Sequence, residues 1–299
     1  MIHIMTANEP QHQLSPLQQK ILELYKELKE LLDRHHLRYY ALGGTCIGAV
    51  RHQGFIPWDD DLDIMLPDRD YYRFLELCQT ELPDHLELIL SYERPHCSSL
   101  EAKVHDKRTT LIENHELRHP DEYKGVFIDI FKMTGAPEEE NERRTFCKKL
   151  VMYKRFNEKR RLDFKNLTHL RSKLMWIAVF PLRVLPYRFW SQKIIDLTDR
   201  YPYDQSTYVA RSWDSQLWRF MMKREEIYGT PVELPFEDTC IPCPQNYDAF
   251  LTTVFGDYMK LPPKEEQIAA HSETGFLDLE RPYTYYQEQY RRCGRLKKD

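Results

Sequence analysis

The feature that most constrains this chain is an acidic run that leads into an alternating strand pattern. Residues 59–66 read Asp-Asp-Asp-Leu-Asp-Ile-Met-Leu. Polar and apolar residues alternate from Asp61 to Leu66, which predicts a strand with one polar face. On such a strand the side chains of Asp61 and Asp63 leave the same face, ~6.5 Å apart at the backbone. Two carboxylates at this spacing can bind the divalent cations that assist in-line attack at phosphorus.

A third acidic residue lies in the most strand-like run of the chain, residues 125–131. Asp129 stands between Ile128 and Ile130, where a carboxylate is costly unless it is paired or metal-bound. If this strand lies beside the first one, Asp129 completes a ligand set with Asp61 and Asp63. We therefore predict a Mg²⁺ or Mn²⁺ site formed by these three catalytic residues. Asp129 either completes the metal site or acts as the general base.

A glycine pair precedes the acidic run. Gly43 and Gly44 end a short predicted strand at residues 38–42 and lead into a short predicted helix. Backbone N–H groups at a helix N-terminus, with no Cβ in the way, can bind phosphate. We predict that Gly43, Gly44 and Thr45 bind substrate phosphate and that Arg51 adds a bidentate contact. The alternative is that the Gly-Gly pair is an ordinary turn.

Two further residues are predicted to bind substrate. Lys103 lies on a predicted strand over residues 100–105 and either meets a ligand phosphate or extends to solvent from the sheet edge. Trp58 either stacks on a base or a quaternary ammonium group or fills the core.

The order of elements predicts the fold. Strands interleaved with helices indicate an α/β (α+β) protein, and the order strand, Gly-Gly, helix, Asp-x-Asp strand, later Asp strand resembles a nucleotidyltransferase-like mixed sheet. We expect a catalytic core over residues 1–137. Residues 138–299 are predicted to form a helical, loop-rich portion that packs on this core.

Charge and cysteine content limit the partners and the compartment. The chain of 299 residues has 43 Lys and Arg against 47 Asp and Glu, a net charge of −4, so nucleic acid is not an expected partner. Seven scattered cysteines and no secretory signal predict a cytoplasmic protein. The basic segment 148–180 is predicted to contact the inner face of a membrane; a solvated basic face is the alternative.

Residues 43–64 resemble the signature of the LicD family almost residue for residue. Residues 125–131 resemble it too, as do the C-terminal stretches 236–237, 244–247, 256–259 and 261–263. The resemblance extends from about Leu17 to His271. Gln267 departs from it, because the family pattern places a basic residue there. The resemblance implies a phosphotransferase that uses a CDP-activated alcohol. Members of the family transfer phosphocholine from CDP-choline to a cell-surface glycan, and fukutin-related relatives transfer ribitol phosphate.

The partners implied by the resemblance are therefore CDP-choline or another CDP-alcohol, and a glycan acceptor such as lipopolysaccharide or teichoic acid, free or lipid-linked. The abundant aromatic residues, among them Trp58, Trp213, Trp218, Tyr247 and Tyr258, favour choline as head group. Two alternatives stay open. The first is a true nucleotidyltransferase that releases pyrophosphate, and the second is a non-catalytic nucleotide- or glycan-binding scaffold.

Overall fold

The computed structural model describes residues 13–94, 97, 100–159, 181, 184–186, 188–211, 221–269 and 274–296. Its helices are α1 (Pro16–Arg34), α2 (Gly43–Arg51), α3 (Asp68–Cys78), α4 (Glu140–Lys159), α5 (Phe189–Thr198), α6 (Tyr247–Phe255) and α7 (Tyr283–Cys293). Its strands are β1 (Tyr40–Ala41), β2 (Asp63–Pro67), β3 (Leu86–Leu90), β4 (Ala102–Asp106), β5 (Thr110–Glu113), β6 (Phe127–Gly135), β7 (Tyr208–Arg211), β8 (Met222–Lys223), β9 (Val232–Phe236), β10 (Thr239–Cys243) and β11 (Thr274–Asp278).

A mixed sheet of seven strands organises the fold. Strands β1, β2, β6, β4 and β3 lie side by side in that order, and β7 and β8 extend the sheet from β6. The β2–β6 pair is parallel and the other pairs in this sheet are antiparallel. The long strand β6 contacts β2 on one side and β4, then β7, on the other. Residues of β6 are therefore central to the sheet.

Helix α1 begins where the sequence provides a complete capping box. The Ser15 hydroxyl accepts a hydrogen bond from the Gln18 N–H, the Gln18 side chain accepts one from the Ser15 N–H, and Pro16 opens the helix. Apolar residues at three- and four-residue spacing bury one face of α1 against the sheet, among them Ile21, Tyr25, Leu28 and Leu32.

The predicted α/β class is confirmed, and several element bounds differ from the prediction. The Asp-x-Asp strand begins at Asp63 rather than at Asp61. Beyond residue 137, where the sequence predicts helices and loops, the structure also has the strands β7 to β11. Two of them, β7 and β8, continue the main sheet. The division at residue 137 stays a prediction.

The described helices include none that is long and apolar enough to cross a membrane. Of the segment 148–180, residues 148–159 belong to α4, and residues 160–180 lie outside the described residues.

Candidate active site

Two acidic residues lie directly opposite each other at the centre of the sheet. Asp63, the first residue of β2, is the register partner of Asp129 on β6. Partners in register project from the same face of a sheet, so the two carboxylates share one face. The Asp129 N–H donates to the Leu62 carbonyl at 3.2 Å, which fixes this register at the start of β2.

Lys103 extends the same row across a third strand. It is the antiparallel register partner of Asp129 on β4, and its Nζ lies 2.5 Å from Asp129 Oδ1. Its ammonium also lies 3.9 Å from the centroid of the Phe127 ring. The sheet therefore carries Asp63, Asp129 and Lys103 side by side on β2, β6 and β4. Lys103, predicted as a phosphate ligand, is a buried partner of Asp129 here.

The helix after the glycine pair supports Asp63. The Asp63 N–H donates to Thr45 Oγ1 at 2.9 Å, and the Leu42 N–H donates to the Asp63 carbonyl at 3.0 Å. Helix α2 starts at Gly43, whose φ of +54° is a left-handed conformation that favours glycine. Leu42, before the helix, provides no side-chain cap for its N-terminus.

The electrostatics of this row reflect crowded negative charge. Burial and the carboxylates of Asp61 and Asp129 raise the pKa of Asp63, and Arg211 and Lys103 oppose the rise. Burial raises the pKa of Asp129 to about 6, although Lys103 lowers it. Lys103 itself is buried, which disfavours its charge, yet Asp129 and Glu101 raise its pKa above the ordinary range. The site therefore favours cations and protons.

The acidic loop before β2 holds a second group of carboxylates. Ligand oxygens of Asp59, Asp60 and Asp61 all lie within 4.8 Å of one another. The predicted trio of Asp61, Asp63 and Asp129 is not among the groups that meet this distance in the described part of the chain. Asp61 is still near enough for its charge to raise the pKa of Asp63 and of Asp129.

Two long-range contacts hold this acidic loop in place. The amide Nε2 of Gln18, on α1, donates to the carbonyls of Ile56 at 3.2 Å and of Asp59 at 2.9 Å. From the other side, Glu237 Oε1 accepts from the Phe55 N–H at 2.8 Å. A Cβ at Gly44 would lie 2.6 Å from Asp59 Oδ2, so the bare helix start leaves room for this carboxylate. Burial and the neighbouring Asp61 raise the pKa of Asp59 to about 8.

These residues fit a hard divalent cation. Such cations take several carboxylate oxygens, and a bound cation would relieve the raised pKa values of Asp59, Asp63 and Asp129. The oxygens of Asp59, Asp60 and Asp61 are the ones that lie close enough together to share an ion. That Asp61, Asp63 and Asp129 together hold Mg²⁺ or Mn²⁺ stays a prediction.

A cleft of about 420 Å³ opens over the row. Its acidic and basic lining extends well beyond the three aspartates. Lys124, buried in its wall, lies 2.8 Å from Glu113 Oε2 and 2.5 Å from Glu116 Oε1. Lys124 and Lys103 together lower the pKa of Glu113 to about 2, against the effect of burial. Described residues lining the cleft include Asp63, Glu101, Lys103, Glu113, Lys124, Asp129, Phe131 and Arg211.

Two predicted site residues lie among other partners. Arg51 Nη1 donates to the carbonyl of Tyr258 at 2.6 Å, and burial lowers the pKa of its guanidinium. Trp58 is half-buried against the core and meets the His52 ring edge-on, with centroids 6.3 Å apart. Neither belongs to the described lining of the cleft, and their roles toward substrate stay predictions.

Sequence reasoning missed Gln18 and Arg211. The capping box of Ser15 and Gln18 can be recognised in the sequence. The contact of the Gln18 side chain with the acidic loop cannot, because the loop is distant from Gln18 in the chain. Arg211 ends the four-residue strand β7, which is too short to give a periodic signal.

Comparison with known proteins gives one consistent similarity. Residues 36–172 match the family described as LicD/FKTN/FKRP, nucleotidyltransferase domain. Over 256 residues the chain is 28% identical to the lipopolysaccharide cholinephosphotransferase LicD of Haemophilus influenzae, covering 83% of this chain and 91% of that protein. It is also 41% identical over 76 residues to an uncharacterized protein of Rickettsia prowazekii, covering 25% of this chain and 27% of that protein. The range of the family match contains Asp63, Lys103 and Asp129.

Proposed function

The chain belongs to the LicD family, and on this premise we propose that it is a transferase that moves phosphocholine, or a similar alcohol phosphate, from a CDP-activated donor to a cell-surface glycan. The observation that carries the proposal is the row of Asp63, Asp129 and Lys103 under a polar cleft. Similarity to a lipopolysaccharide cholinephosphotransferase over 91% of that protein supports the same reaction class.

In the proposed reaction a glycan hydroxyl attacks the β-phosphorus of the donor in line, and CMP leaves. Asp61 and Asp63, with Asp129 as the predicted third ligand, would hold a Mg²⁺ or Mn²⁺ ion, and the ion would supply positive charge to the phosphate. Asp129 either completes this metal site or acts as the base for the hydroxyl proton, and a pKa of about 6 leaves it mostly ionised at neutral pH and able to accept a proton. Lys103 keeps the Asp129 carboxylate oriented through their 2.5 Å contact.

We propose that the glycine pair and Thr45 act at the phosphate end of the donor. Gly43 and Gly44 form the start of α2, and the first N–H groups of a helix have no acceptor within the helix and favour an anion. Thr45 accepts a hydrogen bond from the Asp63 N–H with its hydroxyl oxygen, and the hydroxyl hydrogen can still donate to a phosphate oxygen. Arg51 would have to exchange its contact with the Tyr258 carbonyl to reach the donor.

The head group is proposed to be choline. A quaternary ammonium can be held by aromatic faces, and the described cleft offers Phe131 together with the carboxylates of Glu101 and Glu113. Trp58 and Tyr258 lie elsewhere in the described structure, and Trp213 and Trp218 lie outside the described residues. The choline head group is therefore supported more by the carboxylates of the described cleft than by the aromatic cage that was expected from the sequence.

Donor binding tests the proposal before any acceptor is known. Thermal shift with CDP-choline, CDP-ribitol, CDP-glycerol, UDP-glucose and ADP-ribose, each with Mg²⁺, should single out CDP-choline, because ligand at 100 times its dissociation constant adds ~2.7 kcal/mol of stability. Calorimetry then ranks the CDP-alcohols. Equal or reversed affinities would rule out choline as the specific donor, and failure of every CDP compound to bind would contradict the whole proposal.

We also propose that the protein acts at the inner face of a membrane through its basic segment. Within the described part of that segment, α4 presents Lys148, Arg155 and Lys159 around the exposed Met152, a combination that suits anionic lipid surfaces. Sedimentation with anionic liposomes at low salt should recover the protein, and added salt should release it. No binding to anionic liposomes at low salt would contradict this contact.

A further inference from the structure

A second pocket lies on the sheet face opposite the cleft. Phe131 lines the cleft, and the next residue of β6, Lys132, lines this pocket. Successive residues of a strand project from opposite faces of a sheet. Glu101 and Leu100, just before β4, divide between the cleft and the pocket in the same way. The pocket is therefore a cavity of its own, and the sheet separates it from the aspartates.

Helices α3 and α5 close this pocket over the sheet. Tyr71 and Tyr72 come from α3, and Ser191 and Ile194 come from α5. The volume is about 290 Å³, close to the lower limit of ~300 Å³ for small-molecule sites. A cavity of this size can hold one small ring with its substituents. Its buried lining residues are Tyr71, Leu100, Lys132, Ser191, Ile194 and Thr198.

The lining of the pocket contains a buried hydroxyl without a partner. Ser191 is 1% exposed, and its Oγ has no hydrogen-bond partner in the part of the chain that the structure describes. A buried hydroxyl in this state is unfavourable, and a serine hydroxyl can donate one hydrogen bond and accept two. Because Ser191 lines the pocket, a ligand that carries hydroxyl groups would satisfy it.

The cations of the pocket already have carboxylate partners. Lys132 Nζ lies 2.5 Å from Asp199 Oδ1 and donates a hydrogen bond to the Tyr72 hydroxyl at 2.9 Å. Arg188 Nη2 lies 3.4 Å from Glu93 Oε1. An anionic ligand would have to displace these carboxylates, whereas a neutral polar ligand would leave both pairs intact. The pocket therefore favours a neutral ligand over a phosphate or a carboxylate.

Three tyrosines supply the aromatic part of the lining, Tyr71, Tyr72 and Tyr92. The rings of Tyr71 and Tyr72 meet edge to face, with centroids 5.6 Å apart. A tyrosine offers an apolar ring and a polar hydroxyl, so this lining matches a ligand that has apolar faces and hydroxyls around its edge. A hexose has both, because its C–H groups lie on the faces of the ring and its hydroxyls lie around the rim.

We propose that this pocket binds one neutral hexose ring, and that Ser191 forms a hydrogen bond with a hydroxyl of the sugar. The ring is either a free sugar or one unit of a glycan chain. The site is separate from the cleft, so it does not depend on the transferase reaction proposed above.

The test titrates the full chain with glucose, galactose and N-acetylglucosamine, followed by NMR of the sugar signals. One or more of these sugars should bind with millimolar affinity, as expected for a ligand of this size. Ser191→Ala should weaken that binding about three- to tenfold, because it removes the hydrogen bond to the sugar. Addition of CDP with Mg²⁺ should leave the sugar affinity unchanged, since the cleft is on the other face of the sheet.

Ser206→Ala is the matched control. Ser206 is buried like Ser191, but its Oγ donates to the Pro202 carbonyl at 2.9 Å, and it is outside the described lining of the pocket. Ser206→Ala should therefore lower the melting temperature by about 2–4 °C and keep the sugar affinity of the parent chain. Ser191→Ala should do the reverse, because the hydroxyl that it removes has no partner to lose within the described chain.

Disaccharides distinguish the two sources of the ring. Tighter binding of lactose than of galactose, or of maltose than of glucose, would indicate a unit of a glycan chain; equal or weaker binding would indicate a free sugar. Absence of hexose binding, parent-like affinity in Ser191→Ala, or displacement of the sugar by CDP would overturn the inference. Binding of cytidine or inorganic phosphate that depends on Ser191, in place of a hexose, would also overturn it. Failure of every CDP compound to bind would contradict the transferase and not this site.

Discussion

Asp63 and Asp129 are register partners on the two adjacent parallel strands β2 and β6, so that two carboxylates meet at the centre of the sheet. Burial and their mutual repulsion raise the pKa of Asp63. Two buried carboxylates on neighbouring strands lower the stability of the fold and favour the binding of a divalent cation. Removal of one of them should therefore affect activity and stability in different directions.

Asp63→Asn should remove activity without harming the fold. We expect turnover to fall by about 10³-fold, while the metal-free protein melts at the same temperature or higher because a repelled buried charge is gone. Asp129→Asn should be less stable than Asp63→Asn, since it leaves the buried Lys103 without its partner. Activity assays and thermal melts check both, with the exposed Asp84→Asn as control. Full activity in both variants would disprove the site.

In the proposed site, Lys103 would compete with the metal ion for the Asp129 carboxylate. Lys103→Met should therefore bind Mn²⁺ more tightly than the parent chain at pH 8. Its Mn²⁺ affinity should also depend more steeply on pH between 6 and 8, because without Lys103 the pKa of Asp129 rises above about 6 and a metal must displace that proton. Calorimetry across this pH range measures both effects, and Lys26→Met, in an exposed pair with Asp238, is the control. Unchanged Mn²⁺ affinity with a raised donor KM would instead support the phosphate contact predicted from the sequence.

Gly44 should matter for activity and not for stability. A Cβ there would lie 2.6 Å from Asp59 Oδ2, so Gly44→Ala should displace the Asp59 carboxylate and weaken Mn²⁺ binding, while helix propensity favours alanine by about 1 kcal/mol. Gly256→Ala should do the reverse. Its Cβ meets nothing within 4 Å, but its φ of +73° costs about 1–2 kcal/mol for a residue with a side chain. Gly44→Ala should lose Mn²⁺ affinity and keep its melting temperature, whereas Gly256→Ala should lose melting temperature and keep its Mn²⁺ affinity. Losses of both quantities in both variants would contradict the role of Gly44.

The buried pair of Lys124 and Glu113 predicts a stability that depends on acid pH. Against the effect of burial, Lys124 and, to a smaller extent, Lys103 lower the pKa of Glu113 from its ordinary 4.5 to about 2. The pair therefore stabilises the fold fully above pH 4.5, and this contribution is lost as the pH falls from 4.5 towards 2. Glu113→Gln should cost about 2–3 kcal/mol at pH 7, since Glu116 still pairs with Lys124. Urea unfolding at pH 7 and pH 3, beside the exposed Glu76→Gln, should show the difference shrink; a constant difference would contradict the pairing.

The acids of the candidate site could be selected from the sequence because each of them lies in a local pattern. Alternation marked Asp63, and an acid between isoleucines marked Asp129. Their register could not be predicted, because β2 and β6 are distant in the chain and their pairing is decided by packing. The same holds for Lys103, whose strand was expected but whose partner was not. Asp61 falls outside β2 in the structure because the acidic loop is held by Gln18, a contact made across tertiary structure.

The C-terminal strands were missed for a different reason. The paired strands β9 and β10 contain Pro235 and Pro242, and proline argues against a strand in a sequence reading. Both strands of a two-stranded hairpin are edge strands, and an edge strand tolerates proline, which has no backbone N–H. Arg211 was missed with them, since the short strand β7 owes its place to pairing with β6.

Product analysis tests the central claim most directly. The parent chain, given CDP-choline labelled in the phosphocholine group, Mg²⁺ and lipopolysaccharide lacking phosphocholine, should place the label on the glycan and release an equal amount of CMP. Asp63→Asn under the same conditions is the blank. Pyrophosphate released from CTP, with a nucleotide left on the acceptor, or no transfer with either Mg²⁺ or Mn²⁺, would contradict the phosphotransferase account.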